Sequence, residues 1–226
     1  MLIIDHLAKS FGNNQVLNKI SLECPAGKCI GIMGENGAGK TTLFRCVAGL
    51  EQYSGTINAP YEPLKDHLGY LQAESFFLSR MTGREYLQLL CNGRSHPLPN
   101  LAEKNLFDLP LDRYAAAYST GMKKKLALTG ILLLENEVYI LDEPYNGVDI
   151  HSNMLITEIV LELKKLNKVI LIASHIFSTL KETCDEIYVL QQGSFQRKAL
   201  KEDFHLLEEE MKKTTIGNKI AQLDLK

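Results

Sequence analysis

Apolar positions along the chain follow two periodicities. Cys29-Ile-Gly-Ile-Met33, Val138-Tyr-Ile-Leu141, Val169-Ile-Leu-Ile-Ala173 and Glu186-Ile-Tyr-Val-Leu190 are short, nearly unbroken apolar runs, the pattern of strands buried on both faces. Leu2 to Leu7 and Val16 to Cys24 are β-rich with partial alternation, and Gly55-Thr-Ile-Asn58 and His67-Leu-Gly-Tyr-Leu71 read as two more strands. Helical spacing governs Lys40 to about Leu50, Gly83 to Cys91, Leu101 to Phe107, a long stretch from Ser119, Asp149 to Leu166 and Ile176 to Thr183. Apolar runs alternating with helices predict a mostly parallel sheet covered on both faces, with ligands beyond the carboxyl ends of its strands. Between Gln72 and Leu134 the texture is helical, so a helical subdomain over 72–134 is expected inside a sheet domain spanning 1–200. After Gln192 the pattern fades. Leu200, Phe204, Leu207 and Met211 keep helical spacing, which predicts a helical tail over 201–226 with Glu208-Glu-Glu210 toward solvent.

The ends of the apolar runs carry the chemistry. Gly34-Glu-Asn-Gly-Ala-Gly-Lys-Thr-Thr42 stands between the first run and the first helix. A strand feeding a glycine-rich turn and a helix leaves backbone N–H groups converging on one spot, where the helix dipole adds positive potential. Gly34, Gly37 and Gly39 let the backbone approach a phosphate with no Cβ in the way, Lys40 can reach β/γ oxygens, and the Thr41 hydroxyl can hold Mg²⁺. Asn36, Ala38 and Thr42 complete the nucleotide-binding stretch. The combined spacing, Lys-Thr pair, preceding strand and following helix argue against a mere glycine turn. Val138 to Leu141 ends in Asp142-Glu143-Pro144, adjacent carboxylates that repel unless a cation is near. Asp142 is expected to bind Mg²⁺, and Glu143 to orient and deprotonate the water that attacks a γ-phosphate. One crossover later His175 ends the next run, within reach of the γ-phosphate or of Glu143. Gln72 ends the strand before the helical stretch and offers an amide oxygen to Mg²⁺ or to the water. Taken singly, the acidic pair reads equally as a strand-end turn, a strand-end histidine is more often a satisfied structural group, and a loop glutamine is usually a solvated amide.

Composition narrows the class. A chain of 226 residues with 45% hydrophobic content can form one domain with a full core. A formal charge of -2 gives no general attraction to nucleic acid or anionic lipid. The five cysteines are odd in number, scattered and free of Cys-x-x-Cys spacing, so they are expected as small core residues in a reducing cytosol. The apolar stretch Ile131-Leu-Leu-Leu134 ends at Glu135, far short of a membrane span, and Met1-Leu-Ile-Ile-Asp5 is too short for a signal peptide. The chain is expected to be soluble by itself.

With these residues in order, the chain resembles the nucleotide-binding subunit of ATP-binding-cassette (ABC) transporters from about Leu2 to Gly193. The family order of motifs is present: phosphate loop, Gln-ended strand, helical insert, signature, acidic strand end, D-loop and switch histidine. The resemblance implies an α/β P-loop NTPase fold, a mostly parallel sheet core with an antiparallel β subdomain and an inserted helical subdomain. It implies ATP and Mg²⁺ as cofactors and ATP hydrolysis as the activity. Phe11 matches the aromatic that stacks on adenine; a core aromatic is the alternative. The family signature Leu-Ser-Gly-Gly-Gln appears as Tyr118-Ser-Thr-Gly-Met122. Ser119 and Gly121 thus correspond to contacts with ATP bound to the opposite subunit, Thr120 and Met122 depart from the pattern, and a Cβ at Thr120 would loosen the ATP sandwich. Ser119 also fits a helix N-cap, and Lys123-Lys-Lys125 reads as a solvated face. Tyr145-Asn-Gly-Val-Asp149 stands at the D-loop, where Asp149 fits both the motif and an N-cap. The resemblance further implies a homodimer, or a heterodimer with a paralogous ATPase, docked on an integral membrane permease. Such a protein is peripheral on the cytoplasmic face of the cell membrane. Met81 to Tyr86 and the Tyr-Ser-x-Gly-Met signature look like those of exporters. No nucleic-acid partner is expected. A soluble ABC ATPase acting on DNA or the ribosome is the alternative, but only about 45 residues without heptads separate Gln72 from Tyr118, and a single cassette is present. A small nucleotide kinase would not explain Asp142-Glu143 together with His175.

Overall fold

The computed structural model describes residues 1–216, with side chains to Lys212. Strands β1 (Leu2–Phe11) and β2 (Asn14–Cys24) form an antiparallel hairpin, and β4 (Ser54–Asn58) adds to the free edge of β1, giving a three-stranded antiparallel sheet. The second sheet has six strands in the order β5-β6-β7-β3-β8-β9. In it β3 (Cys29–Met33), β5 (Leu68–Leu71), β6 (Val138–Asp142), β7 (Val169–Ser174) and β8 (Glu186–Gln191) run parallel, and β9 (Ser194–Leu200) is antiparallel at the edge. The mostly parallel sheet is the one expected from the alternation of apolar runs and helices, and with its antiparallel companion sheet it is the α/β P-loop NTPase architecture that the resemblance implies.

Every residue of β3, β6 and β7 is buried, and successive side chains divide between two cores as the period of two requires. Ile170 and Ile172 face one with Tyr139 and Leu141; Val169, Leu171 and Ala173 face the other with Val138 and Ile140. The second core is closed by α1 (Lys40–Val47) and the antiparallel sheet, whose Leu2, Ile4, Leu17 and Ile20 reach into it. The first core is closed by α2 (Gly83–Gly93), α3 (Leu101–Lys104), α4 (Thr120–Leu133), α5 (Ile150–Lys165), α6 (Phe177–Thr183) and α7 (Phe204–Ile216). Helices α2 to α4 lie between β5 and β6, which are neighbours paired from Leu68↔Val138 to Leu71↔Leu141. The whole helical insert therefore leaves and re-enters at one place in the sheet. Helix α2 starts where Thr82 and Glu85 form a reciprocal capping box.

Three elements differ from the sequence pattern. Strand β1 continues to Phe11, because register shifts and a positive φ at His6 interrupt its alternation without ending its pairing. Helix α3 stops at Lys104 rather than Phe107: the Asn105 amide bonds both the N–H and the C=O of Leu109, a side-chain turn that competes with further helix. Strand β9, Ser194–Leu200, was not indicated at all, and Leu200 ends it half exposed instead of lying on the tail helix. Phe204 and Leu207 of α7 are buried, Phe204 edge-on to Phe177 with centroids 6.2 Å apart. Glu208 is not free in solvent but pairs with Lys181 and Lys212, both at 2.8 Å, and Glu210 pairs with Arg197. The remainder of the expected tail, residues 217–226, lies outside the described residues. All five cysteines are buried and free.

Because Phe204 ties α7 to α6 from inside the core, Phe204→Ala is expected to cost about 3–5 kcal/mol. The check is a lower urea midpoint with an unchanged denaturant slope.

Candidate active site

Parallel pairing brings three strand ends side by side. Met33 is opposite Ser174 and Asp142 opposite Ala173, so the phosphate loop after β3, His175 after β7 and Glu143 after β6 share one edge of the sheet. They surround a cavity of about 400 Å³ whose walls include Gly37, Lys40, Thr41, Asp142, Glu143 and His175. Asn36, Gly39 and Thr42 also line it.

The loop holds its shape for two different reasons. Gly37 has φ +85 and open space around it, so only its backbone conformation demands glycine. At Gly34 a Cβ would lie 2.5 Å from the Leu190 carbonyl oxygen, and at Gly39 one would meet Leu17 at 2.9 Å and the Val16 carbonyl at 3.1 Å. Packing against β8 and β2 thus excludes side chains at two positions read from sequence as clearance for phosphate. Ala38 packs against the second core instead of lining the cavity.

Lys40 is buried, and its ammonium donates to the carbonyls of Gly34 at 2.7 Å and Glu35 at 3.1 Å, while Glu143 Oε1 lies 3.6 Å away. Thr41 Oγ1 donates to Asp142 Oδ2 at 2.7 Å, and the Tyr70 hydroxyl reaches the same oxygen at 3.4 Å. Burial raises the Asp142 pKa above its ordinary 3.8, against the opposing Thr41 hydrogen bond. The ring nitrogen Nδ1 of His175 and Glu143 Oε2 are 2.9 Å apart. Asp142 Oδ1 and Glu143 Oε1 are buried with no hydrogen-bond partner, two acceptors with unused capacity in the cavity wall. Glu143 itself has φ +50. Gln72 is exposed and not among the lining residues; its neighbours Ala73 and Glu74 are.

A family model described as ABC transporter matches residues 17–146. The chain belongs to the ABC transporter family. Curated relatives agree. It is 32% identical over 198 residues to the ABC transporter ATP-binding protein NatA of Bacillus subtilis (strain 168), covering 79% of each chain. It is 35% identical over 205 residues to the bacitracin transport ATP-binding protein BcrA of Enterococcus faecalis, covering 84% of this chain and 66% of that one. It is 31% identical over 202 residues to the Nod factor export ATP-binding protein I of Rhizobium leguminosarum bv. viciae, covering 83% and 65%. Among solved structures, an ATP-binding subunit of an ABC transporter superposes with a TM-score of 0.83 at 25% identity over 92% of this chain and 93% of that one. A dimeric, post-hydrolysis ATP-binding cassette, MJ0796 with ADP and Pi, shares the fold at a TM-score of 0.78 and 15% identity, covering 88% and 98%. The chain is thus an ABC ATPase, an ATP-binding subunit of a transporter. Among the described residues no helix is long and apolar enough to cross a membrane.

Phe11 is 49% exposed and under the Lys9 ammonium at 4.5 Å, which rules out a core role. Ser119 and Asp149 both act as helix N-caps, accepting from the Met122 N–H at 3.2 Å and the Ser152 N–H at 2.9 Å. Hydrogen bonds from the Ser152 backbone and hydroxyl, and then from Lys125, hold the Asp149 carboxyl well below the usual carboxylate range. Ser119 and Thr120 are exposed, and neither they nor Gly121 line the cavity of their own chain. Gly121 is fixed by its D-loop neighbour, since a Cβ there would lie 2.5 Å from the Gly147 carbonyl oxygen.

The lysine run is not a solvated face. Consecutive helix residues point about 100° apart, so three lysines cannot share one side. Lys124 is 3% exposed with its ammonium 2.5 Å from the Glu143 carbonyl oxygen, and Lys125 bonds Asp149 and Ser152. The usable signal was Lys124's place on one stripe with Leu128 and Ile131, all three buried.

A carboxyl whose folded pKa lies above its unfolded value penalises the native state once ionised. The penalty is absent below the unfolded pKa and grows as pH rises through the folded one. Asp142→Asn is therefore expected to raise the melting temperature of the nucleotide-free ATPase at neutral pH, with the gain shrinking in acid. Thermal melts of both proteins across that pH range provide the check.

Proposed function

We propose that this ABC ATPase works as one half of a dimer that clamps two ATP molecules and drives an export permease. The observation that carries this reading is the division of the site. Lys40, Asp142, Glu143 and His175 line one cavity, whereas the capped helix start at Ser119 is exposed away from it. A second copy, or a paralogue, would bring its Ser119 and Gly121 to the triphosphate, adding a hydroxyl and a helix N-terminus to the anion cradle. The dimeric state named for MJ0796 supports the arrangement. Phe11, exposed at the end of β1, would stack on adenine, and Asp149 would stiffen the D-loop next to the signature helix.

Within one half-site, the converging loop amides from Gly34 to Thr42 would hold the β-phosphate. Lys40 would exchange its contacts with the loop carbonyls for β/γ oxygens. Asp142 and Thr41 offer hard oxygen donors, and the partnerless Asp142 Oδ1 suits Mg²⁺; Gln72 would join them if its loop closes inward. Bound there, Mg²⁺ supplies charge neutralisation on the phosphate oxygens. Glu143 Oε1 is free to accept a proton from water, while Oε2 is held by His175, whose other ring nitrogen is left for the γ-phosphate.

The opening and closing of such a dimer needs a membrane subunit to act on. Phe76 at 86% exposure and Leu78 are exposed apolar side chains in the segment before α2, and the exposed Leu89 of α2 lines an open groove with Arg80, Met81, Arg84 and Gln88. Exposed apolar side chains rimmed by polar ones mark a docking surface, and the permease would seat here, keeping the ATPase at the cytoplasmic face. Bacitracin transport and Nod factor export in the relatives' names, together with the Tyr-Ser-x-Gly-Met signature, support export over a role on DNA or the ribosome.

Glu143→Gln is expected to keep ATP binding, slow hydrolysis by at least about 10²-fold and accumulate dimer. Steady-state phosphate release and size-exclusion chromatography with ATP test it, and near-normal turnover rejects Glu143 as the base. Lys40→Ala is expected to weaken ATP binding by about tenfold or more, read by equilibrium titration.

A further inference from the structure

Lys124 has a role that charge patterning on a helix surface does not account for. Its side chain is almost completely buried, yet among the described residues its ammonium meets no carboxylate within ion-pair distance and donates to a single acceptor, the Glu143 carbonyl oxygen, at 2.5 Å. A buried ammonium with one hydrogen bond is costly, and the burial pushes its pKa down. The nearby carboxylates of Glu143, Asp142 and Glu74 act in the opposite direction.

The residue that it grips is in an unusual backbone state. Glu143 has φ +50, a left-handed conformation that a side chain other than glycine adopts only when surrounding contacts impose it. Three hydrogen bonds do so: the Glu143 N–H donates to the Ala173 carbonyl at 2.9 Å, and the Glu143 carbonyl accepts from the Asn146 N–H at 3.2 Å and from Lys124. Lys124 alone among these comes from outside the strand ends and the turn. It stands on α4, five residues after the Ser119 cap, so the helix that starts at the signature also clamps the turn that aims Glu143 at its own cavity.

We propose that Lys124 is a positioning residue for hydrolysis, its buried ammonium holding the Glu143 backbone in the left-handed turn that directs the carboxylate toward the attacking water. This rests on the reading of Glu143 as the base. Replacement by methionine keeps the length and apolar stem and removes the ammonium, and because the neighbouring carboxylates stay behind, thermal melting accompanies the kinetics to report any loss of stability. In the full chain, Lys124→Met is expected to lower kcat for ATP hydrolysis at least about tenfold, with KM and the dissociation constant for ATP unchanged within about twofold. Added to Glu143→Gln, it is expected to change the residual rate less than about twofold, since a residue acting through Glu143 has nothing left to position.

Measuring the four proteins of this cycle by phosphate release, ATP titration and thermal melting separates the ideas. A kcat for Lys124→Met within twofold of the parent overturns the proposal, as does a loss of ATP affinity or melting temperature that accounts for the drop. Full additivity in the double variant overturns it as well. If Glu143→Gln alone hydrolyses ATP near normally, the base assignment fails and the role of Lys124 that rests on it fails too, whereas an impaired Glu143→Gln beside an unimpaired Lys124→Met overturns the role of Lys124 alone.

Discussion

Alignment of three strand ends is the constraint on which the site depends. With Met33 opposite Ser174 and Ala173 opposite Asp142, strands a little under 5 Å apart deliver a glycine loop, an imidazole and two carboxylates to one edge. A slip of one residue in β6 would exchange the two faces of that strand, sending Leu141 to the wrong core and Asp142 away from Thr41. The division of Val138, Ile140 and Tyr139, Leu141 between the two cores fixes the register, so ordinary apolar packing sets the spacing of the charged groups.

Those charged groups oppose the packing that positions them. Lys40, Lys124 and Asp142 are all buried, and Asp142 Oδ1 and Glu143 Oε1 accept no hydrogen bond. Such groups lower the stability of the nucleotide-free protein, yet they are arranged as alternating signs around one cavity: Lys40 between the loop carbonyls and Glu143, Asp142 under Thr41, Lys124 behind Glu143. A polyanion with its counterion entering this arrangement would meet donors already oriented and acceptors already desolvated, which limits the reorganisation required on binding.

Much of this could be read from residue order, and the exceptions have physical causes. The fully buried strands and the loop from Gly34 to Thr42 were legible because burial on both faces leaves an apolar run and a phosphate cradle leaves fixed glycine spacing. Strand β9 was not, because an edge strand with one covered face needs few apolar residues: Ser194-Phe-Gln-Arg-Lys-Ala-Leu200 buries only Ala199 fully. Lys124 was hidden in a run of like charges whose individual directions a composition argument averages away. Gln72 shows the limit of carrying a side chain to a site by strand position alone; β5 ends where expected, but the chain beyond it turns so that Ala73 and Glu74 line the cavity.

The signature departures follow the same logic of local packing. Gly121 is buried with a D-loop carbonyl where its Cβ would be, so no side chain fits there within a single chain. Thr120 is exposed, and its methyl would be in ordinary contact range of a Cβ added at Gly147. Of the two positions at which the family carries glycine, this chain varies the one that its own fold leaves open. The expected loosening of an ATP sandwich by Thr120 therefore depends on a surface that only a second subunit completes, and the first-turn amides that Ser119 orients remain accessible beside it.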